Sequence, residues 1–269
     1  MKKVPIAMIF SAVVLGLTLL AFGQTDYNGN SYDDQSNTLD DQLLKVAAKG
    51  DTAAVQQLLQ KGARIEFKDA ATHYTHSALF AAAGTGQVEV VKLLLELGAK
   101  TEFDDPTGHR SALGWAAGGG RIEVVKLLLE KGANIEARER GDTALIEAAH
   151  FGYTEVVRLL LGKGANIEAR GVFGYTPLIW PAGEGHTEVV KLLLDKGANT
   201  EAWDETYHQT ALIWAISRGQ TGVVKLLLEK GAKTEYHDPS GHYFPALGYA
   251  IAADNTEIVK LLEAKGAHL

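Results

Sequence analysis

The sequence predicts an all-α fold, an α-solenoid of about seven stacked helix-turn-helix repeats joined by extended finger loops. Three observations carry that prediction. Residues 131–138 read KGANIEAR, and residues 163–170 read the same eight letters again. A Gly-Ala pair closes a leucine-rich run at Gly62, Gly98, Gly132, Gly164, Gly197, Gly231 and Gly266, with spacings of 36, 34, 32, 33, 34 and 35 residues. Between closures the apolar residues recur with a helical period rather than alternating. A period near 33 that persists from residue 39 to residue 269 marks a repeat array, in which each unit buries its apolar face only against its neighbours.

Residues 141–170 justify each element of a unit in order. Thr143 precedes a short apolar-periodic stretch, Ala144 to His150, and its hydroxyl can cap the first turn. Gly152 breaks that helix. Thr154 starts the second helix, whose Val156, Val157, Leu159, Leu160 and Leu161 leave Glu155 and Arg158 facing water. Gly164 ends it in the left-handed conformation that glycine adopts without strain. The segment from Ala165 to the next Thr is the turn-rich finger.

These units resemble ankyrin repeats, whose motif is T-P-L-H-x-A, a Gly turn, a leucine-rich helix and a Gly-Ala close. Thr176-Pro177-Leu178 and Gly185-His186-Thr187-Glu188-Val189-Val190 carry the resemblance most fully. An N-terminal cap repeat is expected at 39–70, central repeats at 71–246 and a C-terminal cap at 247–269. In the cap at 39–70, Asp40, Asp41 and Lys45 read as a wet outer face. The last unit carries Asp254-Asn255 in place of the turn glycine.

The chain departs from the family at three places. The histidine of T-P-L-H, which the resemblance implies ties neighbouring fingers together, is replaced by Phe80, Gly114, Ile146, Ile179, Ile213 and Gly248. Pro181 inside a first helix should kink or shorten it, and Gly118-Gly119-Gly120 should weaken another by about 1 kcal/mol per internal glycine. Where the family usually closes with Asn, this chain has Glu66, Glu102, Glu136, Glu168, Glu201 and Glu235. That ladder of carboxylates has two readings: pairing with Arg138, Arg140, Arg170 and Lys68, or a surface that attracts a basic partner or a divalent cation.

Residues 1–23 are a different material. MKK is followed by an uncharged apolar run, and Ala21-Phe22-Gly23 puts small residues before a cut at Gln24, the layout of a secretory signal peptide. An uncleaved membrane anchor is the other reading of that run, and the only membrane contact expected. Residues 24–38 read as a flexible polar linker. The chain that follows is expected outside the cytoplasm, periplasmic or secreted, and an exported chain without cysteine suits a bacterial host.

Composition narrows the function. The chain is 46% apolar and 22% charged, with a formal charge of −7 and no basic block, so a nucleic-acid partner is not expected. The absence of cysteine removes disulfides, thiolate metal sites and a Cys nucleophile. No Gly-x-Ser-x-Gly elbow is present, and GWAAGGGR at 114–121 lacks the Lys-Ser/Thr of a phosphate loop. An enzyme is not expected, nor a cofactor.

The resemblance implies that function lies on the concave face, made by finger tips and first helices. One position of the first helices carries Ala81, Trp115, Glu147, Trp180, Trp214 and Tyr249, so three of the four tryptophans share a row. The row either packs between repeats or forms an aromatic stripe that anchors a partner. Beside it His150, Phe151, Glu184 and Arg218 precede the turn glycines, and this set is the candidate groove. The candidate finger residues are His76, His109, Arg110, Arg140, Phe173, Tyr175, Tyr207, His208, His242 and Tyr243. His73 with His76, or His237 with His242, fixes no third ligand by spacing, so no metal is expected. The reading is a monomeric module that binds a partner protein. A small-molecule or cell-wall-fragment binder using the same aromatics, and a membrane-tethered spacer, are the alternatives.

Overall fold

The computed structural model describes residues 38–68, 75–105, 108–237 and 241–269. The expected signal segment 1–23, and the linker up to residue 37, lie outside the described residues. Helices come in pairs: α1 (Leu39–Lys49) with α2 (Thr52–Gln60), α3 (Ala78–Thr85) with α4 (Val88–Glu96), α5 (Ala112–Gly118) with α6 (Ile122–Glu130), and α7 (Ala144–His150) with α8 (Thr154–Gly162). Then follow α9 (Ile179–Glu184) with α10 (Thr187–Asp195), α11 (Ala211–Ser217) with α12 (Thr221–Glu229), and α13 (Ala246–Ala252) with α14 (Thr256–Ala264).

Between pairs the fingers are short antiparallel hairpins rather than featureless loops. β1 (Glu66–Lys68) pairs β2 (Thr75–Ser77), β3 (Glu102–Asp105) pairs β4 (Gly108–Ser111), β5 (Arg138–Glu139) pairs β6 (Asp142–Thr143), and β7 (Glu235–His237) pairs β8 (Tyr243–Pro245). Glu139 faces Asp142 across β5 and β6, which leaves Arg140 and Gly141 as a two-residue loop. Both have positive φ, 54° and 98°, as a type I′ hairpin turn requires. The next finger is a 3-10 turn at Val172–Gly174, and the one after closes on a single Trp203–Thr210 bridge.

The chain forms two compact units that divide between Thr101 and Glu102. In the first, α1 packs on α2 and α3, and α3 on α4. In the second, each first helix packs on its own second helix and on the first helix of the next pair. The first helices are short because they are buried on two sides: in α7, Ala144, Leu145, Ile146, Ala148 and Ala149 are all covered. Small residues let neighbouring helices approach, and Ser77, Ser111 and Thr143 cap them through side-chain oxygens. The second helices bury one stripe only, Val156, Val157 and Leu160 in α8, and keep their ion pairs in water.

The recurring octapeptide is explained by what its polar residues reach. Asn134 and Asn166 accept the backbone N–H of Glu136 and Glu168, each at 3.0 Å, and so fix the local turn. Glu136 accepts the N–H of Asn166 at 2.8 Å, and Glu168 that of Asn199 at 2.7 Å. Arg138 donates to the carbonyls of Gly141 and Arg170, the latter at 2.8 Å. Arg170 donates to those of Gly174 and Trp203, both at 3.0 Å. Every copy therefore binds its own turn and the equivalent turn one repeat further on.

Several expectations are corrected by these contacts. The Glu ladder spends itself on backbone amides: Glu66 on Lys100 (2.6 Å), Glu102 on Asn134 (3.1 Å) and Glu201 on Lys233 (3.1 Å) join the two above. Fingers that lack the family's histidine are tied instead by Arg138 and Arg170. Asp40 is not on a wet face; it is buried, accepts the Arg64 backbone N–H at 2.6 Å and pairs with the guanidinium at 2.6 Å. Pro181 does shorten its helix, because α9 starts only at Ile179 and the proline sits in the first turn, where a missing N–H costs little. Of the three consecutive glycines only Gly118 is helical, and α5 keeps the seven residues of α7 and α11.

The turn between helices carries a second inter-repeat contact. Gln220 lies over Gly185 and donates to the Gly183 carbonyl at 3.1 Å. Gly185 has φ +81°, and a Cβ there would strike the Gln220 amide; Gly197 has φ +89° and open space around it. Gly197→Ala should therefore cost only the left-handed strain, about 1–2 kcal/mol, while Gly185→Ala costs that and the Gln220 bond, about 1 kcal/mol more. Urea denaturation of both variants measures the difference, and equal costs would contradict the contact.

Candidate partner-binding face

The second unit places one residue per first helix in a row: Trp115 on α5, Glu147 on α7, Trp180 on α9, Trp214 on α11 and Tyr249 on α13. Around the middle of that row the aromatic rings are continuous. His150 stacks on Phe151 and on Trp180, each at 4.7 Å between centroids. Trp180 meets Tyr175 at 4.8 Å and Trp214 at 5.5 Å, and Tyr207 meets Trp214 edge-on at 6.2 Å. Glu184 and Arg218 form an ion pair at 2.9 Å over this cluster, with both side chains about one-fifth exposed. The Arg218 guanidinium also lies over the Trp214 ring at 5.5 Å.

Two candidates are inside the protein rather than on the face. Trp214 is 6% exposed and Tyr175 is 4% exposed. Tyr175 is covered by the Trp180 and Trp214 rings, and Trp214 is held inside by Asp204, which is fully buried. Its carboxylate accepts from Trp214 Nε1 at 3.0 Å and from the backbone N–H groups of Thr206, Tyr207 and Gln209 at 2.9, 2.6 and 3.1 Å. A buried indole needs an acceptor for its N–H, and the finger supplies one. Asp204 was missed in the sequence; the Asp-x-Thr-Tyr turn beside a tryptophan row was the available signal.

Next to the aromatic cluster lies a second, charged one around Glu147. Glu139 is buried and accepts the Ser111 N–H at 2.9 Å; its Cβ packs where only a glycine, Gly114, leaves room, since an added Cβ would stand 2.6 Å away. The Arg140 guanidinium sits 3.4 Å from Glu139 and over the Trp115 ring at 5.6 Å. Asp142 accepts the Val172 N–H at 2.8 Å, and burial pushes its pKa up to about 6 against that bond and the nearby Arg138. Glu147 is raised to about 8, first by burial and then by the charges of Asp142 and Glu139, with Arg140 opposing. His150 goes the other way, down to about 4, through burial and then His186 and Arg218. Glu139 and Asp142 were not sequence candidates.

The remaining candidates are scattered. Phe173 projects from its finger 63% exposed, at φ 59°, beside exposed Val172. His208 stacks on Trp203 at 5.1 Å. His242 and Tyr243 are exposed on the last hairpin, where Tyr243 meets His237 at 5.0 Å, and half-buried Tyr249 stacks on Phe244. The side chains of His76, His109 and Arg110 lie outside the described residues, as do His73 and Tyr74. Among the described residues no group of three or more His, Asp or Glu is arranged for a metal ion.

Stacked helix pairs with hairpin fingers define a solenoid repeat protein. The chain belongs to the ankyrin-repeat family: the model of ankyrin repeats matches residues 43–139, 98–171, 134–204 and 200–269. Among solved structures it is similar to the human ASB11 ankyrin repeat domain, at 26% identity and a TM-score of 0.71 over 83% of this chain and 96% of that one. No curated protein matches it. Ankyrin repeats are in general non-enzymatic scaffolds for protein–protein interaction, and no catalytic family matches the chain.

The two raised carboxylates and the lowered histidine fix the sign of the pH dependence. A folded pKa above the unfolded value stabilises fully below the unfolded one and is lost as pH rises through the folded one. For Glu147 that window is 4.5 to about 8, and for Asp142 3.8 to about 6. For His150, lowered from 6.5, the contribution is present above 6.5 and lost as pH falls to about 4. Glu147→Gln should remove the alkaline loss, gaining on the natural chain by about 1 kcal/mol per pH unit between pH 5 and 8. Urea denaturation at three pH values reads this, and parallel curves would refute it.

Proposed function

We propose that this chain is a non-enzymatic binding module that holds a partner protein on the concave face of its second unit, outside the cytoplasm of a bacterial host. The observation that carries the reading is the partly exposed ledge of His150, Phe151, Trp180, Glu184 and Arg218, flanked by the finger tips Arg140 and Phe173. Aromatic rings and arginines that are already packed and ion-paired lose little freedom when a partner docks, which is the composition of binding hot spots. Arg140 and Phe173 add a second argument. Both hold φ near +55° to +60° where Asn or Gly would sit without strain, so their side chains are retained at a cost in backbone energy. The ankyrin family's general role supports a protein partner.

The location rests on residues 1–23, read as an export signal. Among the described residues no helix is long and apolar enough to cross a membrane. Trp115 belongs to the rim of the ledge, with Arg140 on its ring. Tyr207 stands at the other end of the aromatic cluster, against buried Trp214.

Affinity capture from an extracytoplasmic fraction tests the reading, with the chain from Gln24 onward and its Arg140→Ala/Phe173→Ala/Trp180→Ala form as paired baits. Circular dichroism establishes first that the variant folds. A protein held by the natural chain and weakened at least tenfold by the variant is the expected result. Equal retention by both baits moves the site off this face, and a sugar or peptide that quenches tryptophan fluorescence where no protein is retained replaces the reading with a small-ligand one.

A further inference from the structure

The carboxylates around Glu147 do more than sit together; each holds a different neighbour. Glu139 reaches back to the N–H of Ser111, at the start of α5, and Asp142 reaches forward to the N–H of Val172, in the next finger. Both approaches are tight. Gly114 leaves the space for Glu139, and Gly171 leaves the space for the Asp142 carboxylate. Glu147 lies one turn into α7, directly after this hairpin, so that three repeats meet at one two-residue loop whose Arg140 is in the left-handed region.

We propose that the hairpin Arg138–Thr143 is a pH-sensitive latch: closed, it fastens the fingers on either side of it, and it loosens when Asp142 and Glu147 both ionise. The charges facing the group support this. The hairpin's Asp142, Glu139 and Arg140 act on Glu147, and Arg138 acts on Asp142. Of the elements packed around them, α7 itself carries His150, α9 carries Glu184, the next finger carries Tyr175, and β4 carries His109 and Arg110, whose side chains lie outside the described residues. Helix α5 contributes no titratable side chain, and Glu155 and Arg158 of α8 are exposed and paired with each other. His150 and Tyr175 are neutral at neutral pH, because burial lowers the one and raises the other. Glu184 is ion-paired with Arg218.

With Asp142 and Glu147 protonated, Glu139 faces Arg140, and Asp142 holds Val172 without a net charge. With both ionised, the hairpin and Glu147 together hold three carboxylates against two guanidiniums, and Arg138 is already bound to the carbonyls of Gly141 and Arg170. The excess charge is half-buried, where repulsion is several times stronger than in water. The relief available is outward movement of the hairpin, which hydrates the carboxylates and gives up the bonds to Ser111 and Val172. The raised pKa values, about 6 and about 8, place the change in the mildly alkaline range. The latch is a property of the free chain and does not rest on the proposed partner.

Residue-resolved hydrogen–deuterium exchange on the chain from Gln24 onward tests it, because the two amides that would be released are known. Protection factors, each corrected for the intrinsic rate at its pH, are compared between pH 5.5 and pH 8.5 for Ser111, Val172 and, as reference, Leu193 in α10. The expected result is a fall of at least tenfold at Ser111 and Val172 beyond any fall at Leu193, reduced several-fold in Glu147→Gln. Asp142→Asn stands in if Glu147→Gln does not fold. Protection that is the same at both pH values in the natural chain, or that falls equally in the variant, overturns the latch.

Discussion

The architecture depends on one bond made repeatedly: a carboxylate at the close of one repeat accepts a backbone N–H at the equivalent place of the next. Glu136 to Asn166 and Glu168 to Asn199 are the type cases, at 2.8 and 2.7 Å. In a solenoid, stability is the sum of weak units and the interfaces between them, so a contact that repeats from Glu66 through Glu201 has leverage out of proportion to its size. A charge-assisted bond to an amide contributes about twice as much as a neutral one, and it also fixes the spacing between turns. The arginines at the end of the octapeptide extend the same logic by bridging carbonyls of successive fingers. Amides and carbonyls that a turn cannot pair within itself are thus satisfied by the neighbour.

That scheme leaves the fingers rigid enough to carry unusual side chains. The Arg140–Gly141 turn and the Phe173 tip are held in the left-handed region because their ends are bonded on both sides. It also turns the carboxylates near the middle of the array into structural joints, with ionisation as their weakness. Glu139 and Asp142 lie between repeats, so a local change of charge there is felt by two neighbouring fingers. The ledge of His150, Phe151 and Trp180 rests on the same helices, so recognition and the latch share a support.

Much of this was legible in the sequence because it is local. The period, the second-helix stripe and the Thr143 cap depend on residues within one unit, and the structure places them where those residues imply. What failed depends on partners some 30 residues away. The Glu ladder was read as pairing with arginines and a lysine or as an attracting surface, because its acceptors pair with amides of the next repeat, and backbone groups have no letter in a sequence. Trp180 and Trp214 occupy equivalent positions, yet one is half-exposed and the other buried; Asp204, ten residues before Trp214, decides it. The charged first helix misled for the same reason, since Arg64, whose ion pair draws Asp40 inward, lies beyond α2. Proline was read correctly as shortening α9.

The most direct test of the account replaces the ladder where it is densest. Glu136, Glu168 and Glu201 are each changed to Ala, singly and together, and equilibrium unfolding in urea is followed by circular dichroism. The account predicts a loss of about 1 kcal/mol per site and, in the triple variant, a broadened transition as neighbouring repeats uncouple. A triple variant that unfolds at the same urea concentration and with the same slope as the natural chain would contradict it.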